Sequence, residues 1–224
     1  MSEQERLTLV PDEAVSLIAE RAGAIAAARP GRAMIGIAGG PGVGKSTIAR
    51  QVVDTLNGSR PGLAVYVPMD GFHMRHAKLE ALEIAADKGM PHTFEGMLFV
   101  EFLADLRTTR AAVTGPSYSR EIEDVIEDSI TVPAEARILV IEGNYLLLAD
   151  SPWYAVRPLL DLAVFIHVER EKVVARLMKR HGEMGLFSEE RNQAHVARVD
   201  MANYDLVEKG ADRADIRIDI LSER

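Results

Sequence analysis

Cysteine is absent from the 224 residues, which excludes a disulfide framework and any thiolate-ligated metal. Aromatic residues make up 5% of the chain, too few for the stacked platforms that hold single-stranded nucleic acid. A positive excess is lacking too. Against 34 Asp and Glu stand 26 Lys and Arg, a net charge of −8. That disfavours a general nucleic-acid binder but not a local anion pocket. No run reaches the roughly 18 apolar residues of a membrane span, and the opening MSEQERLTLVPDE has no apolar signal core. A cytoplasmic protein with neither nucleic-acid nor membrane partner is expected. What is present is ordinary for a globular chain: 47% hydrophobic and 27% charged residues, in a length that suits one domain.

Apolar runs alternate with helical periodicities. Residues 11–29 carry Val15, Ile18, Ala22 and Ile25 at helical spacing after Pro11. AMIGIA at 33–38 reads as a buried strand, 44–56 as a helix, and LAVYVPM at 63–69 as a second strand. Helices are expected over 76–88 and 99–110, with two short β pieces between 112 and 132. RILVI (137–141) and LAVFIHV (162–168) read as strands. A helix over 169–180 follows, then a helix capped by Ser188 and running towards Asn203, then a last strand at 215–221. Strands alternating with helices imply an α/β fold with a mostly parallel sheet covered on both faces.

GGPGVGKS at 39–46 satisfies G-x-x-x-x-G-K-[ST] between an apolar strand and a helix. Glycines let backbone N–H groups converge on phosphate oxygens, and the following helix points its positive end at them. Gly39, Gly40, Pro41, Gly42, Val43, Gly44, Lys45, Ser46 and Thr47 are therefore expected to hold the nucleotide. Lys45 would reach the β- and γ-phosphates, and the Ser46 hydroxyl would ligate Mg²⁺.

Two acids follow strands directly: Asp70 in PMDGFHM and Glu142 in VIEGNYLLL. Ligands of open parallel sheets bind outside the carboxyl ends of strands. A phosphoryl transferase needs a group to deprotonate the acceptor and one to hold hydrated Mg²⁺. Asp70 is read as general base and Glu142 as metal partner; the residues alone leave the reverse open.

Walker A, a strand ending in DGF and a strand ending in EG together resemble the uridine kinase, phosphoribulokinase and bacterial pantothenate kinase group. DGFHM, PHTFEG, VIEGNYLLL, PWY and RLMKRHGEMG resemble a subgroup described as fructose transport system kinases or uncharacterised nucleoside/nucleotide kinases. The resemblance covers most of 34–207. It implies a P-loop three-layer αβα sandwich with a helical lid. Five parallel strands in order 2-3-1-4-5 are implied, counted from the strand before the phosphate loop. It also implies that the acid after the second strand is the base. One stretch departs: PSYSREIEDVIED at 116–128 lacks the Asp-Phe pair of uridine kinases and is acidic, so a sugar or other polyol fits at least as well.

Arg176 and Arg180 stand four apart on one helical face. A turn between Gly182 and Gly185 leads to the next helix, as in a lid whose arginines reach the transferring phosphoryl group. Arg191 and Arg198 are further candidates. For the acceptor, Asp70, His73, His92, Phe94, Tyr118, Arg120, Glu142 and Asn144 are candidate contacts. His73, His76 and His92 match no structural zinc spacing. The whole is expected to form one kinase domain over 1–224, with an N-terminal helix within 1–30, a substrate-binding insertion over 70–132 and a lid over 172–205. It would use ATP and Mg²⁺ to phosphorylate an alcohol on a sugar, nucleoside or pantothenate-like molecule, and a homodimer is left open. The rival is a P-loop GTPase or coupling NTPase without a small-molecule acceptor. It would want an Asn-Lys-x-Asp motif, which is absent, or a hydrophobic run ending in Asp or Asp-Glu, where RILVI ends in Glu142-Gly143.

Overall fold

In the computed structural model, residues 4–119, 121–184 and 188–221 are described. Six parallel strands form the central sheet: β1 (Glu5–Leu9), β2 (Ala33–Ala38), β3 (Ala64–Pro68), β6 (Ile138–Gly143), β7 (Leu162–His167) and β8 (Ile216–Ile220). Their order is β1-β8-β7-β2-β6-β3. Read from the β3 edge, the first five reproduce the order expected from the resemblance. β2, β6 and most of β7 are buried throughout, as their unbroken apolar runs require.

The sixth strand corrects the expected five. ERLTL looks too charged for a strand, but its period of two sends Leu7 and Leu9 onto the core while Arg6 and Thr8 stay exposed. Paired in parallel with β8 from Glu5↔Ile216 to Leu9↔Ile220, it becomes the sheet's edge. The segment within 1–30 is thus a strand followed by a helix.

α1 (Pro11–Ala28) and α2 (Lys45–Ser59) cover one face. They share an apolar cluster with Val173, Leu177, Met201 and Tyr204 from α5 (Arg170–Met184) and α7 (Met201–Glu208). The other face is covered by α4 (Gly96–Thr108) and the segment holding Tyr145, Leu146 and Trp153. β4 (Val113–Ser119) and β5 (Asp124–Val132) pair antiparallel, separate from the main sheet. The helix expected over 76–88 is only α3 (His76–Ala81). Glu83 adopts φ +58°, which a continuing helix cannot accommodate. The turn expected from Gly182 is also displaced, since α5 continues through it to Met184; Gly185 lies outside the described residues.

One buried acid locks the start of the strand that leads to the phosphate loop. The Asp161 carboxylate accepts the Met34 N–H at 2.8 Å and Arg107 at 2.9 and 3.2 Å, and pairs with Arg29. Its side chain is 8% exposed. Burial alone would raise the Asp161 pKa. Hydrogen bonds from Arg107 and Met34, with the charges of Arg107 and Arg29, outweigh it and hold the group below the ordinary range. Because the folded pKa is depressed, this stabilisation is present above the unfolded value of about 3.9 and is lost as pH falls through the folded one. Asp161→Ala should cost about 1–3 kcal/mol near neutrality, the loss of hydrogen bonds to a charged group whose arginine partners stay partly solvated. In urea unfolding followed by circular dichroism, that deficit should shrink on acidification below about pH 4.

Candidate active site

Local sequence builds the site at the carboxyl ends of three adjacent strands. Glu142 pairs in register with Ile37 of β2 and Pro68 of β3. The acid therefore sits between the phosphate loop and the Asp70 turn. Beyond β2 the chain runs through residues 39–44 into α2, with Gly44 as the residue before the helix at φ +97°. Lys45, the first helical residue, turns back on the loop and donates to the Gly40 carbonyl at 2.9 Å. Its ammonium lies 3.7 Å from Glu142 Oε1. Glu142 Oε2 accepts from Ser46 Oγ at 3.0 Å and from Tyr66 OH at 2.9 Å. The Arg50 guanidinium lies over the Tyr66 ring at 4.6 Å.

Lys45 and Glu142 are both buried, and each is pushed towards its neutral form. Burial lowers the Lys45 pKa, with Arg180 adding to the effect; Glu142 and Asp70 oppose it. Burial raises the Glu142 pKa, and Asp70 adds to it, while Lys45, Tyr66 and Ser46 pull the other way. An arriving polyanion would favour the charged lysine, and an arriving cation the charged carboxylate.

Asp70 sits in the short 3₁₀ turn Met69–Phe72 that follows β3. Gly71 next to it is required for close approach, because a Cβ there would lie 2.2 Å from the Pro116 carbonyl of the hairpin. That contact brings β4 over the turn. His73 Nδ1 lies 2.8 Å from the Asp70 carbonyl. Its ring packs at a tilt against Phe94, with ring centres 3.9 Å apart, and against Tyr118, at 4.7 Å. The Lys88 ammonium lies over the Tyr118 ring, 5.3 Å from its centre.

Most of the candidates expected from sequence line one cleft of about 1100 Å³. Its walls include Pro41, Gly42, Gly44, Lys45, Ser46 and Thr47, with Asp70, Glu142 and Asn144 at the strand ends. His73, Phe94 and Tyr118 form one side, and Arg176 and Arg180 another. Arg176 also reaches the Val43 carbonyl at 3.4 Å. Gly39, Gly40 and Val43 complete the loop without lining the cleft. Arg191 and Arg198 line it too, and Arg198 is paired with Asp87. His92 is the displaced one. It lines a separate hollow of about 370 Å³ beside Trp153 and pairs with Asp87 at 3.3 Å. The short 3₁₀ turn Pro91–Thr93 holds it away from the cleft, while Phe94 after the turn borders both the hollow and the cleft. Arg120 lies outside the described residues.

Sequence reasoning passed over Tyr66, whose signal was only a tyrosine inside an apolar strand. It also passed over Lys88 and Asn203. The Asn203 amide donates to the Gly89 carbonyl at 2.9 Å, and its buried Oδ1 has no donor among the described residues.

The sequence profile of the Phosphoribulokinase / Uridine kinase family matches residues 34–224. The chain belongs to that family. It is 36% identical over 193 residues to a Schizosaccharomyces pombe protein that bears a provisional uridine kinase name, spanning 83% of this chain and 82% of that one. The pantothenate kinase of Limosilactobacillus fermentum is 32% identical over 151 residues, 66% of this chain but 49% of the enzyme. Among solved structures, a Silicibacter sp. TM1040 protein provisionally described as a fructose transport system kinase superposes with a TM-score of 0.82 at 29% identity. The match covers 91% of this chain and 98% of that one. The enzyme class of this family member is small-molecule kinase.

Gly42 carries a testable consequence of how the loop meets α5. Its φ is +76°, and a Cβ would lie 2.9 Å from Leu177. Left-handed strain costs about 1–3 kcal/mol before the clash is counted. Gly42→Ala should lower the Tm by at least about 2 °C and weaken ATP binding in calorimetry. Gly58→Ala, where a Cβ meets nothing within 4 Å, should do neither.

Proposed function

We propose that the chain is an ATP- and Mg²⁺-dependent phosphotransferase that moves the γ-phosphoryl group to an alcohol of a small molecule such as a sugar, a nucleoside or a pantothenate-like compound. The observation that carries this reading is the convergence of Lys45, Ser46, Asp70 and Glu142 at one end of a cleft of about 1100 Å³. That volume exceeds the roughly 300–1,000 Å³ of a single-ligand pocket, leaving room for a nucleotide and an acceptor together.

The phosphates lie against the 39–46 loop and the N-terminus of α2. Lys45 gives up its contacts with Gly40 and Glu142 for phosphate oxygens, which restores the charge that burial suppresses. Ser46 and Glu142 present an all-oxygen donor set of the kind Mg²⁺ takes, and bound there the ion would neutralise charge on the phosphates. Asp70 orients the acceptor hydroxyl and takes its proton, so that the oxygen attacks phosphorus as the bond to the leaving diphosphate breaks. Arg176 and Arg180 offset the charge on the transferring group from the opposite wall. The segment 172–205 serves as the lid and 70–132 as the acceptor-binding insertion. Asn144 and the His73–Tyr118 side hold the acceptor, and Asn203 supplies an acceptor atom that suits a substrate hydroxyl.

An ATP-consumption screen over sugars, nucleosides, pantothenate and glycerate tests the reading. Use of ATP with at least one alcohol is expected. Hydrolysis of GTP with none would sink it. Asp70→Asn should keep ATP affinity and lose about 10²–10⁴ in kcat, whereas Lys45→Ala should lose both. Tyr66→Phe removes a donor that fixes Glu142. It should raise the Mg²⁺ concentration at half-maximal turnover without changing ATP affinity at saturating Mg²⁺.

A further inference from the structure

A second cluster in the cleft wall has no part in the phosphoryl transfer just described. His181 lies on α5, His195 closes α6 (Glu189–His195), and Asp200 ends the π-helical turn Val196–Asp200. Each of the three presents one ligand atom, and these atoms all lie within 4.8 Å of one another. His181 Nε2 and Asp200 Oδ2 are 3.1 Å apart. The two imidazoles stand at 72° with ring centres separated by 5.5 Å. We propose that His181, His195 and Asp200 form a binding site for a late first-row divalent cation, of which Zn²⁺ is the type, separate from the Ser46–Glu142 pair.

Backbone geometry supports a purpose-built arrangement. Positions five apart on an α-helix point roughly 140° away from each other. Here the Met201 N–H reaches the Val196 carbonyl, an i→i+5 bond, and this wider turn swings Asp200 towards alignment with His195. Such turns are rare and cluster at functional sites. The donor chemistry is also distinctive. Two imidazoles and one carboxylate suit Zn²⁺, Co²⁺ or Ni²⁺, while Mg²⁺ prefers oxygen alone. Three protein ligands leave a fourth position. All three residues line the cleft, so that position opens towards the space where the acceptor binds. The cation would also tie α5 to α6 and the π turn, closing the segment on itself.

A hydrogen-bonded His181–Asp200 pair with an incidental neighbour is the competing explanation, and metal titration separates the two. Chelator-treated, untagged full-length chain without nucleotide is titrated with Co²⁺ in the presence of excess Mg²⁺. One equivalent should bind with visible d–d absorption, and Zn²⁺ should displace it and raise the Tm. His195→Ala and, as the milder change, His195→Gln should weaken Co²⁺ binding by more than the roughly tenfold to hundredfold that loss of an outer-shell partner costs. Far-UV circular dichroism checks that both are folded. His92→Ala, on the exposed Asp87 pair, should leave binding unchanged. Absence of saturable Co²⁺ binding to the unaltered chain, or equal affinity in the two folded His195 variants, would overturn the proposal.

Discussion

The Lys45–Glu142 contact is the constraint on which the rest of the site depends. Two ionisable groups are held out of water, one at the end of β6 and the other at the start of α2. Removing such charges from solvent costs several kcal/mol each, and mutual attraction offsets it only when further hydrogen bonds complete the geometry. Here the completion comes from Gly40, Ser46 and Tyr66. The pair therefore fixes the phosphate loop against β6 before any ligand arrives. It also leaves both groups under electrostatic tension that a bound polyanion and cation would relieve. Preorganisation of this kind matters because donors already in position need no rearrangement as charge develops.

The sheet makes that contact possible, and polar anchors at its opposite end keep it in register. β6 lies between β2 and β3, so one residue, Glu142, meets both the phosphate loop and the strand that leads to Asp70. A one-residue slip would send its carboxylate to the other face. At the far end, Asp161 joins β2 to α1 and α4 through Met34, Arg29 and Arg107. Arg137 ties the start of β6 to the carbonyls of Ala26, Arg29 and Gly31. Several long-range polar contacts at the bottom of the sheet thus hold still a site that is built at its top.

The parts legible in the sequence were those that a local backbone requirement dictates. The glycine loop, its lysine and serine, and the acids that end apolar runs each announce themselves within about ten residues, and the buried strands do so by composition. What escaped depends on partners distant in sequence. ERLTL becomes a strand only because β8 offers an edge. Tyr66 matters only because Glu142, seventy-six residues later, accepts a hydrogen bond from its hydroxyl. His92 looked equivalent to Phe94, yet one short turn keeps His92 in the smaller hollow alone while Phe94 forms part of the wall of both. The π turn has no sequence signature at all, and without it His195 and Asp200 would not be read together.

The net charge of −8 takes on a more specific meaning in this arrangement. The lysines and arginines that face the cleft come from three separate places: Lys45 from the loop, Lys88 from beside the hairpin, and Arg176, Arg180, Arg191 and Arg198 from the wall built by α5, α6 and the π turn. Acidic groups occupy the strand ends between them. Such a division keeps like charges apart when the cleft is empty and lets opposite walls meet a polyanionic nucleotide from both sides. Hard oxygen donors stand on the loop side and imidazoles on the helical side, so the chemistry of each wall selects a different cation. Closure of the helical wall would then be sensitive both to the nucleotide, through the arginines, and to a metal, through the histidines. With the proposed nucleotide and cation sites both on this wall, the relation between them would be thermodynamic: a cation that favours the closed wall must raise nucleotide affinity to the same extent that nucleotide raises affinity for the cation.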